Sequence, residues 1–597
     1  MKKNILISLL FLILVFIFTF PLIPQLTNYI PGFFSTDEPF GAISNIWRGK
    51  YLLQSHLSLE HNLMIAYPFG VHTFSSGFVQ PVWMALNYFL AIIASPILSW
   101  NIQIIINLFL SGFITYMLVF YLTRSTLVGI FSGMVFAFCP YSFMRVWQHL
   151  GLTYNEWIPL CLLAAILLRE NQNKKHILLF FASLVLLFSF DLSVAYLGAV
   201  SLSCLFIFIL FYDWRVRFKA SLRRDFKYFG IAVITGLFAL AITLLPTIIN
   251  VFVSQKSKVN SAVAGAHNPY LRPFEDLFSQ SARPLSYFLP ASVHPVFGKF
   301  TENFVGSSWY GESFTEHTLY LGWVPLILAF LAFKGWKRRK EKESPYIGFF
   351  IFLAVIAWLF SQPPWWNIGS FKIYMPSFFM YKILPMFRAY CRFGIVVMLA
   401  VAVLAGFGLK LILQRFKAKN IKIIIAGIIF ALLLFEFWNY PPFKVIDISK
   451  VPDVYYWLGE QPGDFVIAEY PLDIEGPNEM YKFYQTVHHK KMINGTTPGT
   501  YPNRLARTIT RLSSLDTGNI LKWMGVKFVL VHEQEYLDTE LKEQIEELKE
   551  IVLDKQLKLI KTFPAQDCPH PGIMCIQKSG KVDVYELLAN PVEPKIE

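Results

Sequence analysis

Three sets of ionisable side chains have the types and spacing for chemistry. The first is the carboxylate pair Asp37-Glu38, in the segment Phe34-Ser35-Thr36-Asp37-Glu38-Pro39-Phe40. Adjacent carboxylates can hold a divalent cation such as Mg or Mn, or take a proton from a hydroxyl. They can also cap a helix, with Pro39 in its first turn, and spacing alone favours the cap. The second set lies in RVWQHLGLTYNEW, residues 145–157. Glu156 opens an apolar run there, and His149 precedes it by about two turns if the stretch is helical. Aromatic anchors around a helix-start Glu are the plainer reading. The third set is Arg388 and Arg392, four apart and so on one face of a helix. Guanidinium binds phosphate bidentately, and ordinary anionic headgroups are the competing partner. Asp191 stands alone between two apolar runs, either as a cap or as a functional group. Glu312, Glu316 and His317 precede Leu319-Tyr320-Leu321-Gly322, either lining the same cavity or solvated. The tail after 440 shows no glycine-rich phosphate loop and no nucleophile elbow.

These residues must be positioned by elements that water cannot support. Of 597 residues, 55% are hydrophobic and only 15% charged, against about 25% charged in soluble domains. Long continuous apolar runs exclude a soluble enzyme, a disordered chain and an alternating outer-membrane barrel. They predict a polytopic α-helical membrane protein. The net charge of +14 lies in short runs between apolar segments, which is the orienting pattern of a membrane protein and not a nucleic-acid surface.

Apolar runs lie near 5–22, 81–97, 101–122, 126–142, 157–169, 176–190, 192–212, 228–249, 318–334, 345–361, 392–413 and 421–438. The first has no small-residue cleavage site after it and reads as an uncleaved span, with Lys2 and Lys3 in the cytoplasm. If 81–97 crossed fully, the four main basic runs after it would lie outside. If it dips in and returns, they lie inside together with Arg124. The expected topology is therefore about eleven spans plus one re-entrant or juxtamembrane segment, in a multi-pass protein of the plasma membrane. The N-terminus is cytoplasmic and the tail outside. All three chemical sets then share the outer face.

Residues 1–439 form the expected membrane domain and 440–597 an extracytoplasmic α/β domain. In the tail, 464–470, 526–532, 558–563 and 581–587 read as strands, and 534–553 as an amphipathic helix. Cys139, Cys161, Cys204 and Cys391 lie in or beside spans as apolar side chains. Cys568 and Cys575, in CPHPGIMC, suit a disulfide outside the cytoplasm. A zinc site needs more ligands than these two and His570.

A first span, an outer loop with Asp-Glu, a helix ending in Trp47-Arg48, then Tyr67-Pro68-Phe69-Gly70 and Gln80-Pro81-Val82-Trp83 together resemble the GT-C superfamily of integral-membrane glycosyltransferases. The resemblance is clearest over residues 1–215. The stretch Pro385–Phe393 looks like one in uncharacterised bacterial relatives. The resemblance implies a polyprenyl-phosphate-linked sugar as donor and a glycan, lipid or protein as cell-envelope acceptor. Asp37, Glu38 and Glu156 would then be catalytic. His149, Asp191, Glu316, Arg388 and Arg392 would bind substrate. Any divalent cation would sit on Asp37 and Glu38. Two rivals remain: a lipid-linked glycan transporter, which internal repeats and mid-membrane charges would mark, and a non-catalytic assembly protein, in which the three sets would not converge.

Overall fold

The computed structural model describes residues 2–32, 38–72, 80–216, 222–256, 272–305, 314–336, 343–438, 443–472, 477–497, 500–537, 556–570 and 572–594. The apolar runs become helices. After α1 (Lys2–Phe18) and the short strand β1 (Tyr29–Pro31) come α2 (Glu38–Gln54), the paired strands β2 (His61–Asn62) and β3 (Val71–His72), and α3 (Pro81–Ile93). Then follow α4 (Pro96–Thr123), α5 (Thr126–Ala137), α6 (Pro140–Gln148), α7 (Trp157–Glu170), α8 (Lys174–Phe190), α9 (Leu192–Val216) and α10 (Leu222–Lys256). Three short helices, α11 (Asp276–Ser279), α12 (Gly298–Val305) and α13 (Phe314–His317), precede α14 (Trp323–Trp336) and α15 (Ser344–Ser361). A hairpin of β4 (Trp365–Ile368) and β5 (Phe371–Tyr374) leads through α16 (Pro376–Ile383) to α17 (Gly394–Gln414) and α18 (Lys419–Glu436).

Among the described residues, five helices are long and apolar enough to cross a membrane. The pair α5 and α6, bent by 43°, makes a sixth if taken as one span. Pro140 accounts for that bend, since it lacks an N–H and its ring crowds the preceding turn. The run expected at 81–97 is divided. Helix α3 has only 13 residues, short of the roughly 20 that span a bilayer. Ser95 then starts α4, its hydroxyl accepting the Leu98 amide at 3.0 Å with Pro96 in the first turn. Helix α17 is the bundle's central staff, buried along most of its length. Arg392 lies just before it and Lys410 near its end, where the Lys410 ammonium donates to the Thr123 carbonyl at 2.8 Å and pairs with Glu343. Eighteen positions, most of them in α17, separate the two charges, about 27 Å at the 1.5 Å per residue of an α-helix. That matches the hydrocarbon thickness of about 30 Å, so α17 carries a polar belt at each end.

Beyond the bundle the chain forms β6 (Val445–Asp447), α19 (Asp453–Glu460), β7 (Val466–Tyr470), α20 (Pro477–His488), β8 (Lys491–Met492), α21 (Tyr501–Thr508), α22 (Leu515–Trp523), β9 (Val526–His532), β10 (Leu557–Phe563), β11 (Met574–Cys575) and β12 (Val582–Leu587). Five strands make a sheet in the order β10-β12-β9-β7-β8. Strands β8 and β9 lie parallel to β7, while β12 is antiparallel to both of its neighbours. Alternation in β7 sends Ile467 to one core and Val466, Ala468 and Tyr470 to the other. Most of the amphipathic helix expected at 534–553 lies outside the described residues.

Position 440 is not a mechanical boundary. Strand β1 pairs antiparallel with β6, and β11 pairs parallel with the same strand. Cys568 and Cys575 are bonded to each other at the end of β11. The Met492 amide donates to the Met64 carbonyl at 3.0 Å, and the Tyr67 amide to the Met492 carbonyl at 3.1 Å. Backbone of the first long connection is thus built into the sheets of the tail.

Candidate active site

Helix α2 begins at Glu38, whose carboxylate contacts Nδ1 of His149, the residue just after α6. Both side chains are partly exposed. Asp37 lies outside the described residues, as does Glu312. The start of α2 is held from the tail side by α20. Gly41 makes a close approach necessary: a Cβ there would lie 1.7 Å from the Glu479 carboxylate. Phe40 meets the Phe483 ring edge-on at 5.3 Å, and Trp47 stacks on His489 at 5.4 Å. The buried Arg48 guanidinium donates to Gln485 at 3.4 Å and also reaches Asn45. Burial pulls Arg48 down to about 10, with Glu479 acting against it.

Asp191 is the cap at the head of α9. Its Oδ1 accepts the Val194 amide at 2.9 Å, closing an orphan N–H of the first turn. Gly151 packs directly on it, since a Cβ would meet Oδ2 at 2.7 Å. Glu38 and Arg392 both lie close enough to act on Asp191 through their charges. Asp191 therefore lies within electrostatic reach both of Glu38, which touches His149, and of Arg392.

Behind them is a buried ion triad. Glu316 accepts Arg392 Nη2 at 2.9 Å on one oxygen and Arg145 Nη2 at 2.6 Å on the other. The Cys391 thiol donates to the second oxygen at 3.0 Å, and Arg392 Nη1 donates to Ser193 at 3.2 Å. The Tyr141 ring lies 4.8 Å from the Arg145 guanidinium carbon. Burial pushes the Glu316 carboxyl up, but Arg145 and Arg392 overrule it and hold it well below the usual carboxylate range. Two further donors of Arg145, Nε and Nη1, are buried without a hydrogen-bond partner among the described residues. His317 next door is drawn down to about 4 by burial and by the charge of Arg283.

Several expectations are corrected. Arg388 and Arg392 do not share a helical face. Residues 384–389 are not helical, a 3-10 turn covers Tyr390–Phe393, and α17 starts only at Gly394. Arg388, nearly half exposed, pairs instead with Asp276 of α11 at 2.8 Å. His149 and Glu156 are not on one helix either. Helix α6 stops at Gln148, and a 3-10 turn intervenes before α7. Glu156 is fully buried inside the bundle. Its Oε2 accepts Ser111 at 3.4 Å, and its Oε1 has no hydrogen-bond partner among the described residues. It belongs to a polar row on α4, with Ser99, Gln103, Asn107 and Ser111 each four apart. These meet Asn87, Tyr154, Thr153 and Glu156 in turn. The four-residue repeat of polar side chains in an apolar helix was a readable signal for that row. Arg145 and Asp276 carried no such signal, because their partners are 171 and 112 residues away.

Among the described residues no three His, Cys, Asp or Glu side chains converge, and Asp37, one half of the expected cation pair, lies outside them. Glu316 has both oxygens committed to guanidiniums. What the cluster offers is a partly exposed carboxylate–imidazole contact beside a buried triad of two guanidiniums on one carboxylate.

The chain is similar to two solved membrane glycosyltransferases. One is the arabinofuranosyltransferase AftD from Mycobacteria, with TM-score 0.56 and 13% identity, covering 99% of this chain and 40% of AftD. The other is the archaeal oligosaccharyltransferase AglB from Archaeoglobus fulgidus, solved with an inhibitory peptide and a dolichol-phosphate. It gives TM-score 0.55 and 11% identity, covering 98% of this chain and 88% of AglB. This chain thus spans well under half the length of AftD. No family model matches the sequence. No curated protein matches it either. Both neighbours are GT-C enzymes, and the fold of this chain is the GT-C fold.

Proposed function

We propose that the chain is a membrane glycosyltransferase moving a sugar from a polyprenyl-phosphate carrier to a cell-envelope acceptor at the outer face. The observation that carries this reading is the meeting of Glu38–His149 with Asp191, Arg392, Glu316 and Arg145 at one end of the bundle. One wall suits proton handling. The other suits an anion, because Arg392, held in place by Glu316, is partly exposed. A donor phosphate bound by Arg388 and Arg392 leaves the anomeric carbon facing α2. The acceptor hydroxyl lies between α2 and the tail. Asp37, one residue before α2, takes its proton. Glu38, oriented by His149, positions the hydroxyl. The acceptor oxygen forms the new bond to the anomeric carbon as the carbon–phosphate-oxygen bond breaks. The electron pair leaves with the polyprenyl phosphate, and the configuration inverts.

This reading uses about eleven spans, a cytoplasmic N-terminus and an extracytoplasmic tail. Asp37→Asn in the purified chain, with a polyprenyl-phosphate sugar and an envelope extract as acceptor, is the test. Transfer is expected to fall by roughly 10²–10⁴, the usual worth of a general base, with folding intact. Undiminished transfer refutes the base.

A further inference from the structure

The connection between α15 and α17 carries a surface that the candidate site does not use. Strands β4 and β5 pair with Trp365 opposite Tyr374 and Ile368 opposite Phe371. The turn is made at Gly369, whose φ of +61° is a left-handed conformation suited to glycine. The hairpin's root is packed. Trp365 stacks on Phe274 at 5.7 Å and meets Phe278 edge-on at 4.9 Å, while Trp366 lies edge-on to Trp358 of α15 at 5.6 Å. Its far end is bare. All four residues of β5 are exposed, Phe371 to 77%, and Ile368 beside them to 58%. Helix α16 continues the surface with Phe379 and Ile383.

Charge says what covers it. Between 362 and 391 the cations are Lys372, Lys382 and Arg388, and Asp and Glu are absent from the sequence there. Arg388 is engaged by Asp276. Lys372 and Lys382 instead lie over aromatic rings, 4.6 Å from Trp365 and 4.3 Å from Phe378. Glu275 and Asp276 stand near Tyr381 from the preceding connection, and Arg388 answers the second of them; the hairpin and α16 themselves are cationic and aromatic, which fits an anionic surface. Depth follows from the backbone. A two-stranded hairpin leaves outward N–H and C=O groups outside its ladder, which hydrocarbon cannot satisfy and headgroups with their water can. Tryptophan and tyrosine also concentrate at that level.

We propose that residues 365–374 with α16 form an interfacial foot, docked on anionic phospholipid in the leaflet facing the candidate site. The exposed rings enter the acyl boundary, and Lys372 and Lys382 meet the lipid phosphates. The inference stands whether or not the chain transfers a sugar.

The test uses the full chain with Ser370→Cys carrying an environment-sensitive dye; the described cysteines outside the disulfide are buried. It is reconstituted in phosphatidylcholine vesicles with or without phosphatidylglycerol. Quenching by lipids brominated near the headgroup is expected, and more strongly in anionic vesicles. Lys372→Ser and Lys382→Ser should each weaken the anionic contribution about fivefold, the fold-change a lysine near such a surface is worth. Equal quenching in both vesicles overturns the proposal, as does no quenching in either. Shielding that persists in detergent and rises with protein concentration assigns the face to a second copy and also overturns it. Hydrogen exchange across 365–374 in the unsubstituted chain reads the same contrast: slower exchange in anionic vesicles supports the foot, and equal rates refute it.

Discussion

The two walls of the candidate site are built oppositely. On one side Glu38 and His149 meet through a single contact, with the Glu38 side chain 49% exposed. On the other, Glu316 is enclosed by Arg145, Arg392 and Cys391, with both oxygens engaged. Desolvating a carboxylate is costly, so the buried wall needs two cations to stand, and it cannot rearrange without exposing an uncompensated charge. The solvated wall has little to lose by moving. A proton-handling group profits from that freedom, while an anion site profits from fixed donors.

The two walls should differ in sensitivity to substitution, most of all at Glu316→Gln. Leaving Arg145 and Arg392 buried together should cost about 3–5 kcal/mol, read as a large fall in the thermal midpoint of the detergent-purified chain. A variant of unchanged stability would mean that the wall is not held by this triad. His317 gives the next largest effect. Its folded value is near 4, below the ordinary 6.5 or so of an unfolded histidine. Its contribution is therefore fully present above about pH 6.5 and is lost as pH falls towards 4, by up to about 3 kcal/mol. His317→Asn should flatten the stability profile in that window, and an unchanged profile would refute the assignment. Arg388→Gln sharpens the contrast within the cationic wall. Its partner Asp276 is partly exposed, so stability should change little. The donor KM should rise about tenfold, the worth of one charge-assisted hydrogen bond; a fall in kcat alone would place Arg388 elsewhere in the reaction. The smallest expected effect is Glu38→Gln on stability, under about 1 kcal/mol for a solvated pair, checked in the same melt. A loss rivalling that of Glu316 would erase the distinction between the walls.

Local pattern made much of this legible. The apolar runs located the helices because membrane spans are continuous blocks of hydrophobicity. The strand expectations at 526–532 and 558–563 fall on β9 and β10, where β-branched and aromatic residues cluster. Asp191 was recognisable as a cap, because capping is a contact within one turn. Arg145 was hidden in a segment that drew attention to His149 and Glu156. Nothing near Glu316 announced that two guanidiniums would close on it.

The amino-acid order alone determined the class of protein, the helical blocks and which loops carry ionisable groups, because hydrophobicity and turn chemistry act over a few residues. Only the tertiary structure decided which charges neutralise each other. It put Arg145 on Glu316, put Arg388 on Asp276, left Glu156 on a serine, and threaded the first connection into the sheets of the tail. Ion pairing in a dry interior depends on distance in space, and residues 171 positions apart have no distance until the chain has folded.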